Sequence, residues 1–539
     1  MPDTEAPEAQ EEPQRSPPPL PVRQWGRWDW VALALVTLIG GALRFVRLDL
    51  PKTIVFDETY YAKDACWYVL ASTDICEVSD EQSNVHPPLA KWLIAIGIRL
   101  FDYDSFGWRV AAAVAGTATV ALLYLLARRI MRSTFAAAMA SGLLAFDLLH
   151  FVQSRMSMLD IFVPLFGVAA ILFTVYDRDR FRPELHSPED GEAAEPASTE
   201  EMLAIGSGNG LLDRPWRLAA GACAGAAVAC KWSGLFYLVA VIVLTIVWEI
   251  AARRADGTGN AVGRVVLQET LSIVVWLLFL PVVFYVITYL GRLEGDYLAS
   301  PLSGESFWRQ LWDRHVYMWD FHRNLTSSHG YQSNAQTWLL IKRPVSYFFV
   351  DVDGKRSEIM ATGSPFVWWA SILALLYVGV RWVRNTILSL RTKGGTGSFW
   401  GAEGVILAGF LFTYGPWLLP SKRSAIFIFY LLPTIPFMCL ALAYVAISIG
   451  RSWEARTAIA LFTVGTIGLF AFYYPLTANV LIPQEDWDRR IWIFDNCDKP
   501  PGTPTTTTVT ETLGPRRTTT TTTVTSSDAD LPPLGWCWI

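Results

Sequence analysis

Charged side chains are scarce in this sequence. Asp, Glu, Lys and Arg make up only 17% of its 539 residues, whereas they make up about 25% of a typical soluble domain. Hydrophobic residues account for 52%, and the mean hydropathy is +0.30. This balance argues against an ordinary soluble enzyme and indicates a membrane-embedded core. The length of the chain therefore reflects a number of spanning helices rather than a number of globular domains.

Positive charge and cysteine are also in short supply. The net charge is -5 and the pI is near 5.8, which excludes a protein held on nucleic acid by phosphate contacts. Of the seven cysteines, Cys66 and Cys76 lie in one polar loop and Cys497 and Cys537 lie near the C-terminus. Disulfides between them require an oxidising compartment. We predict the pairs Cys66–Cys76 and Cys497–Cys537.

The N-terminal segment lacks the residues that order a chain. Residues 1–22 are rich in Pro, Glu and Gln and contain no aromatic residue, so they cannot bury enough apolar surface to fold. The apolar run that follows Trp28 is longer than the core of a signal peptide, and no small-residue cleavage pattern follows it. We therefore predict a disordered cytoplasmic tail over 1–28 and a first membrane helix after it.

Apolar runs close to the length that crosses a bilayer, about 20 residues, predict a transmembrane core over 29–480. Arg residues cluster in the short connections on one side of the predicted membrane core. By the positive-inside rule, that side faces the cytoplasm. Loops 49–107 and 291–365 and the tail 481–539 then lie outside. The predicted fold is an all-α polytopic protein of the plasma membrane with interfacial helices. Its eleven spans are 29–48, 108–127, 134–151, 160–176, 216–232, 234–250, 269–290, 366–382, 403–419, 424–447 and 457–475.

The first outer loop carries an acidic pair, Asp57 and Glu58, among aromatic residues. Partly desolvated carboxylates can take a proton from a hydroxyl; the alternative is a pair of solvated loop acids. Further along, His86 and Lys91 begin an amphipathic stretch that suits the interface plane, where both could be surface anchors. Arg109, at the outer mouth of the second span, needs a phosphate or carboxylate partner unless it extends to the headgroups.

Two other outer turns carry charge near the membrane surface. Arg155 and Asp160 follow the third predicted span, and the favoured interpretation is that they pair with each other. Arg423 lies beside Lys422 on the outside, against the positive-inside trend. An anionic group, either a lipid phosphate of the substrate or an interfacial lipid, is expected opposite Arg423.

The second outer loop is rich in aromatic residues and contains three histidines, His315, His322 and His329. Aromatic faces with hydrogen-bond donors suit carbohydrate or peptide contacts. The seven-residue spacing of the histidines is too wide for a single zinc ion, so no metal is expected.

These motifs occur in an order that resembles one known family. They are Phe56-Asp57-Glu58 with Tyr60-Tyr61-Ala62-Lys63-Asp64, His86-Pro87-Pro88-Leu89-Ala90-Lys91, Ser154-Arg155 with Leu159-Asp160, and the closing Trp538-Ile539. The sequence is similar to the actinobacterial protein O-mannosyltransferases, class C glycosyltransferases that depend on polyprenyl phosphate mannose. The similarity runs from about residue 25 to 497 and resumes at the last residues.

The resemblance implies an exofacial site that transfers mannose from polyprenyl phosphate mannose to Ser or Thr of a secreted protein, with inversion at the anomeric carbon. It makes Asp57 the general base, with Glu58 positioning the acceptor or sharing that work. Arg109 is the first candidate for holding the donor phosphate, and Arg423 and Lys91 are further candidates. The remaining candidates for contact with donor or acceptor are Tyr61, His86, Arg155 and Asp160.

The resemblance implies no cofactor and no metal, because the leaving group is already a phosphate. The expected partners are the lipid-linked donor, Ser/Thr-rich secreted proteins, membrane lipids and, as a candidate, a secretion translocon. One alternative is a related transferase whose acceptor is a glycan or a lipid. Another is a transporter of the lipid-linked sugar, but a transporter places its charges near the bilayer midplane, whereas these lie in outer loops and at helix mouths.

The sequence departs from the family pattern in two segments. The cytoplasmic loop 177–214 is long and acidic and has no assigned role. The tail contains fourteen Thr between Thr503 and Thr525, mixed with Pro, a composition typical of O-glycosylated stalks. One hypothesis is that the enzyme mannosylates its own tail; the alternative is a disordered linker closed by the Cys497–Cys537 bridge.

Overall fold

The structure, a computed structural model, describes most of the chain between the two termini. The described residues are 25–70, 72–77, 85–181, 214–255, 260–290, 307–325, 331–391, 401–420, 423, 425–450, 452–491, 506–511 and 520–525. The predicted N-terminal tail up to residue 24, the predicted Cys497–Cys537 pair and most of loop 177–214 lie outside these residues.

Apolar helices dominate the described residues. Seven of those helices are long and apolar enough to cross a membrane: Arg27–Phe45, Ser105–Met131, Trp232–Arg254, Ala261–Ile287, Pro365–Leu388, Ile428–Ser448 and Trp453–Thr477. Four shorter or less apolar helices overlap the remaining predicted spans: Thr134–Ala145, Phe162–Phe181, Pro215–Cys230 and Ala402–Tyr414. The prediction of a helical polytopic membrane protein is confirmed, and the count of eleven spans stays a prediction.

One end of the bundle is held together by buried ion pairs. Arg128 donates to Asp29 at 2.6 Å and joins the start of helix Arg27–Phe45 to the end of helix Ser105–Met131. A larger cluster joins four other helix ends there through three arginines and three acids: Asp177, Arg214, Arg217, Glu249, Arg253 and Glu269. Because the charges balance, the cluster stays buried without an uncompensated ion.

The segment predicted as the first outer loop, 49–107, forms short helices at the opposite end of the bundle. They are Glu58–Leu70, Thr73–Cys76 and Leu89–Phe101. A disulfide joins Cys66 to Cys76, as predicted, and both residues are fully buried. Helix Leu89–Phe101 can pack closely on helix Ser105–Met131 because Gly97 has no side chain. A side chain at this position would overlap the backbone carbonyl of Gly107.

The second outer loop contains a helix, Phe307–Asn324, followed by a short 3-10 helix, Ala335–Leu340. A small sheet then departs from the all-α expectation. Strand β1, Val345–Val352, pairs antiparallel with β2, Lys355–Ala361, and β2 pairs with β3, Ile482–Pro483. The β1–β2 turn is Asp353-Gly354, with φ of 51° and 71°, and Asp-Gly with two positive φ angles is a strong hairpin signal.

One further helix and two further strands lie in the C-terminal part of the described chain. Helix Gln484–Ile491 follows β3 directly, and Trp487 of this helix donates to the carboxylate of Glu358 in β2 at 2.9 Å. Within the tail, β4, Thr506–Glu511, pairs antiparallel with β5, Thr520–Thr525.

Candidate active site

Asp57 lies just before helix Glu58–Leu70, at the outer-loop end of the bundle, and is half-buried. Phe56 adopts a left-handed backbone (φ 48°), and the carbonyl of Asp57 accepts from the N–H groups of Tyr60 and Tyr61 in the first helical turn. Burial raises the pKa of Asp57 to about 6; Lys231 nearby opposes this shift and Asp160 adds to it. A carboxylate with this pKa is ionised at neutral pH and can accept a proton.

Glu58, the adjacent acid, is fully buried and fixed in place. Arg109 binds it through two parallel hydrogen bonds, Nε to Oε1 and Nη2 to Oε2, both 2.8 Å. The backbone N–H groups of Val55 and Ser157 also donate to its carboxylate, at 3.1 and 2.9 Å. These four hydrogen bonds occupy the buried carboxylate of Glu58 and give it a structural role. Asp57 is therefore the acid of the pair that is suited to proton transfer.

Arg109, predicted to hold the donor phosphate, has no exposed surface. Besides its two bonds to Glu58, it donates to the backbone carbonyls of Leu48 (3.4 Å), Pro51 (2.8 Å) and Thr53 (3.0 Å). These contacts fasten the start of the outer loop to helix Ser105–Met131. The geometry gives the phosphate prediction for Arg109 no support and favours a structural role instead.

Lys91, a further phosphate candidate, is also buried and engaged. Its Nζ lies 2.7 Å from a carboxylate oxygen of Asp64, and the two side chains are 1% and 2% exposed. This ion pair joins helices Glu58–Leu70 and Leu89–Phe101.

Arg155 reaches the end of the first spanning helix. It donates to four carbonyls there, those of Leu43, Arg44, Val46 and Arg47, at 2.6 to 3.2 Å. The last carbonyls of a helix have no partners within it and carry partial negative charge, so Arg155 caps helix Arg27–Phe45. The interpretation that Arg155 pairs with Asp160 is wrong.

Asp160 pairs with Lys231 instead. The Nζ of Lys231 lies 2.8 and 2.9 Å from the two carboxylate oxygens of Asp160, and 4.6 Å from the ring centre of Tyr430. Lys231 lies between helix Pro215–Cys230 and the 3-10 turn Trp232–Gly234. Sequence analysis missed it, although a lysine between two apolar runs was a usable signal.

Arg423 contacts the same tyrosine. Its Nη2 donates to the hydroxyl of Tyr430 at 3.1 Å, and its Nη1 lies 3.0 Å from Nδ1 of His322. Arg423 is only partly buried. Of the three predicted phosphate ligands, Arg423 is the one that shares a contact with Lys231, through the ring of Tyr430. Its sequence neighbour Lys422 lies outside the described residues.

Two imidazoles adjoin these cations. The rings of His86 and His322 are 5.1 Å apart, and the ring of Tyr61 is 6.0 Å from His86. Burial, reinforced by Arg423, lowers the pKa of His322 to about 4, and burial with Lys231 holds the pKa of His86 well below its usual range. Burial and Asp57 raise the pKa of Tyr61. All three side chains are therefore neutral near pH 7 and can form hydrogen bonds without adding charge.

Tyr347 comes from the small sheet and was also missed. Its ring stacks on Phe56 with a centroid distance of 4.4 Å, and its hydroxyl accepts from Nε2 of Gln153 at 2.7 Å. Burial and the charge of Asp160 raise its pKa. The hairpin thus completes one wall of the site around Asp57.

The site is an acid, Asp57, near the Asp160–Lys231 ion pair, with Arg423 on the adjoining Tyr430, at one end of an apolar helix bundle. A base near cations suits transfer of a group from a phosphate to a hydroxyl. Within the described ranges, no group of three or more His, Cys, Asp or Glu is arranged to hold a metal ion. The fold and the site together define a membrane-embedded transferase.

Three family models match the chain. The C-terminal four TMM region of protein-O-mannosyltransferase matches residues 307–495. Two models described as dolichyl-phosphate-mannose-protein mannosyltransferase match residues 85–181 and 34–108.

Curated relatives agree with these matches. The polyprenol-phosphate-mannose–protein mannosyltransferase of Mycobacterium tuberculosis is 31% identical over 520 residues, 89% of this chain and 95% of that protein. The protein of the same name in Corynebacterium glutamicum is 26% identical, over 88% and 95% of the two chains. This chain belongs to the protein O-mannosyltransferase family and is a glycosyltransferase, so the resemblance is confirmed.

A solved structure shares the fold. The Saccharomyces cerevisiae protein O-mannosyltransferase Pmt1-Pmt2 complex, bound to the sugar donor, superposes with a TM-score of 0.66 at 15% identity, over 87% of this chain and 93% of that chain. At this identity the likeness extends to the fold alone.

Proposed function

We propose that this protein transfers mannose from polyprenyl phosphate mannose to Ser or Thr hydroxyls of secreted proteins, with inversion at the anomeric carbon. The carrying observation is Asp57, with its pKa raised to about 6, beside the Asp160–Lys231 pair. The names of the relatives supply the class of donor and acceptor. A glycan or lipid acceptor would use the same site.

Asp57 acts as the general base. It takes the proton of the acceptor hydroxyl while that oxygen forms a bond to the anomeric carbon of mannose. The bond between that carbon and the phosphate oxygen breaks, and the electron pair leaves with polyprenyl phosphate. Because the departing phosphate is already a weak base, the step requires no general acid and no metal or other cofactor.

Lys231 and Arg423 stabilise the departing phosphate. Both cations adjoin Tyr430, at 4.6 and 5.7 Å from its ring centre. Asp160 positions Lys231 through the two short contacts at its carboxylate. A preorganised cation next to developing negative charge lowers the barrier more than a mobile one would in water. His86 and Tyr61 lie at the edge of this group and contact the donor or the acceptor.

The site faces the extracytoplasmic side of the plasma membrane in this proposal. The arginine-rich connections at the opposite end of the bundle support that orientation. The buried Cys66–Cys76 disulfide, at the same end as the site, supports it as well because structural disulfides persist in oxidising compartments. A secretion translocon would then deliver unfolded acceptor segments to the site.

The test is transfer of labelled mannose by membranes that contain the protein. We expect radiolabelled polyprenyl phosphate mannose to label a Thr/Pro-rich peptide, and Asp57→Asn to lower the transfer rate by at least about 100-fold, as expected for loss of a general base. Asp74→Asn, an exposed acid in the same loop, is the matched control and should retain full activity. No peptide labelling by well-folded wild type, with label on a glycan or lipid instead, would contradict the protein acceptor.

A further inference from the structure

The helix Phe307–Asn324, here called the aromatic helix, has an apolar arc with two parts. Three tryptophans at spacings of four and seven residues, Trp308, Trp312 and Trp319, form an exposed stripe; they are 67%, 69% and 58% exposed. Residues at these spacings share one side of a helix. The adjoining stripe, which includes Leu311 and Met318, is buried against the protein.

The opposite arc of the aromatic helix is polar. It carries charged residues of both signs: Arg309, Asp313, Arg314 and Asp320. A helix with a charged arc, a buried arc and an exposed tryptophan stripe between them fits a boundary between water, protein and lipid. In a water-soluble environment such a stripe would be an aggregation site.

The contacts of the aromatic helix fix its depth along the bundle. His315 Nε2 lies 2.8 Å from the hydroxyl of Tyr285, in the last turn of span Ala261–Ile287. On the outward surface of that span, Val282 and Ile287 are 59% and 56% exposed. Exposed apolar residues on a spanning helix face lipid. The contact between His315 and Tyr285 places the aromatic helix at the end of that span, the depth at which aromatic belts meet the headgroups.

The aromatic helix also reaches the candidate active site. His322 is on the protein-facing side of this helix. Its Nδ1 lies 3.0 Å from Nη1 of Arg423, and its Nε2 lies 2.7 Å from the carbonyl oxygen of Val85. One rigid helix therefore connects the tryptophan stripe to a cation of the proposed phosphate site.

We propose that the aromatic helix is an interfacial anchor whose partner is the phospholipid surface. Trp308, Trp312 and Trp319 insert among the headgroups and hold His322 against Arg423. The anchor thereby holds the phosphate subsite at the membrane depth where the phosphate of the lipid-linked donor lies. The second part of this inference rests on the proposed function; the anchoring itself does not.

The anchoring is tested without any activity measurement. Photoreactive benzoylphenylalanine is placed at Trp312, or as a control at Tyr317 on the polar arc, where the exposed fraction is similar at 55%. The full-length protein is then irradiated in nanodiscs of phosphatidylglycerol and phosphatidylethanolamine. We expect a phospholipid adduct by mass spectrometry at position 312 and none at 317. An adduct to a second protein chain at 312, or equal lipid labelling at both positions, would overturn the proposal.

The coupling to the site is tested by Trp308→Ser, Trp312→Ser and Trp319→Ser in one variant. In nanodiscs we expect KM for polyprenyl phosphate mannose to rise about tenfold, equivalent to about 1.4 kcal/mol, while kcat changes by less than about twofold. Trp453→Ser, which removes a tryptophan 77% exposed at the opposite end of the bundle, should leave both constants unchanged. Equal KM for wild type and the triple variant would refute the coupling, whereas an inactive wild type would contradict the proposed function and leave the cross-linking result intact.

Discussion

Asp57 and Glu58 are neighbours in sequence, yet the structure gives them opposite environments. Glu58 is enclosed by Arg109 and by backbone N–H groups, whereas Asp57 remains half-buried beside Lys231. The sequence alone predicts that this acid pair matters. It cannot decide between the two acids, because the deciding partners are Arg109, 51 positions after Glu58, and Lys231, much further along the chain.

The pH dependence of transfer tests the assignment of Asp57. Because the base must be ionised, we expect kcat/KM to rise about tenfold per pH unit below about pH 6 and to level off above it. Asp160 raises the pKa of Asp57, so Asp160→Asn should move the rising limb to lower pH. Lys231 lowers that pKa, so Lys231→Met should move the limb to higher pH.

Profiles of kcat/KM from pH 5 to 8 on wild type and both variants make this measurement. Both variants should also lower the plateau value, since each disturbs the proposed phosphate site, but the midpoint of the limb does not depend on that loss. Limbs that stay in place, or that move in the same direction in both variants, would remove Asp57 from the role of base.

At the scale of helices and strands, apolar runs predict most of the fold correctly. Each predicted span overlaps a helix in the described part of the chain, because a run of about twenty apolar residues has few alternatives in a membrane. The same search has no means of detecting strands of seven or eight residues. The hairpin at Asp353-Gly354, which brings Tyr347 to the site, was therefore missed although its turn signal is present.

The elements around the site are joined by buried charges that the sequence presents as ligand candidates. Arg109, Lys91 and Arg155 hold the first outer loop and the first helix in place. From sequence, a cation at a helix mouth has the same appearance whether its partner is a substrate phosphate or another part of the chain. Only the fold distinguishes the two, through the position of its carbonyl and carboxylate partners.

Arg109→Met separates these two roles. Removal of one member of a buried ion pair leaves an uncompensated charge and costs roughly 3 to 5 kcal/mol, so we expect a lower melting temperature and a lower yield of folded protein. Changing Glu58 to Met as well should restore much of the stability, because a buried pair replaced by apolar side chains is often tolerated. Thermal unfolding in detergent measures both variants.

The KM for the donor, measured on the folded fraction of each variant, tests whether Arg109 binds the donor phosphate. We expect Arg109→Met to change this KM less than Lys231→Met does. A variant at Arg109 that melts like wild type but binds the donor much more weakly would return Arg109 to the phosphate site.

Across the whole molecule, the C-terminal segment leaves the core close to the candidate active site. Trp487 packs against Phe349 of β1 with ring centres 5.8 Å apart, and Tyr347 of the same strand stacks on Phe56, next to Asp57. From Ile491, the last residue of this helix, to Thr503 the chain can extend by roughly 40 Å. The threonines of the tail are therefore within reach of the site, and tethering raises their effective concentration to about the millimolar range.

This reach and the fourteen threonines motivate a test of the hypothesis that the enzyme mannosylates its own tail. We expect intact-mass spectra of the wild-type protein, produced with donor present, to show additions in steps of one hexose that map to the tail. Asp57→Asn should lack them. A tagged Asp57→Asn chain produced together with untagged wild type distinguishes the route: it stays unmodified if transfer occurs only within one chain, and gains hexoses if the tail is an acceptor between chains. A tail without hexose, in an enzyme that mannosylates added peptide, would refute the hypothesis. The enzyme would then discriminate against the tail threonines by their sequence or conformation, because their distance from the site does not exclude them.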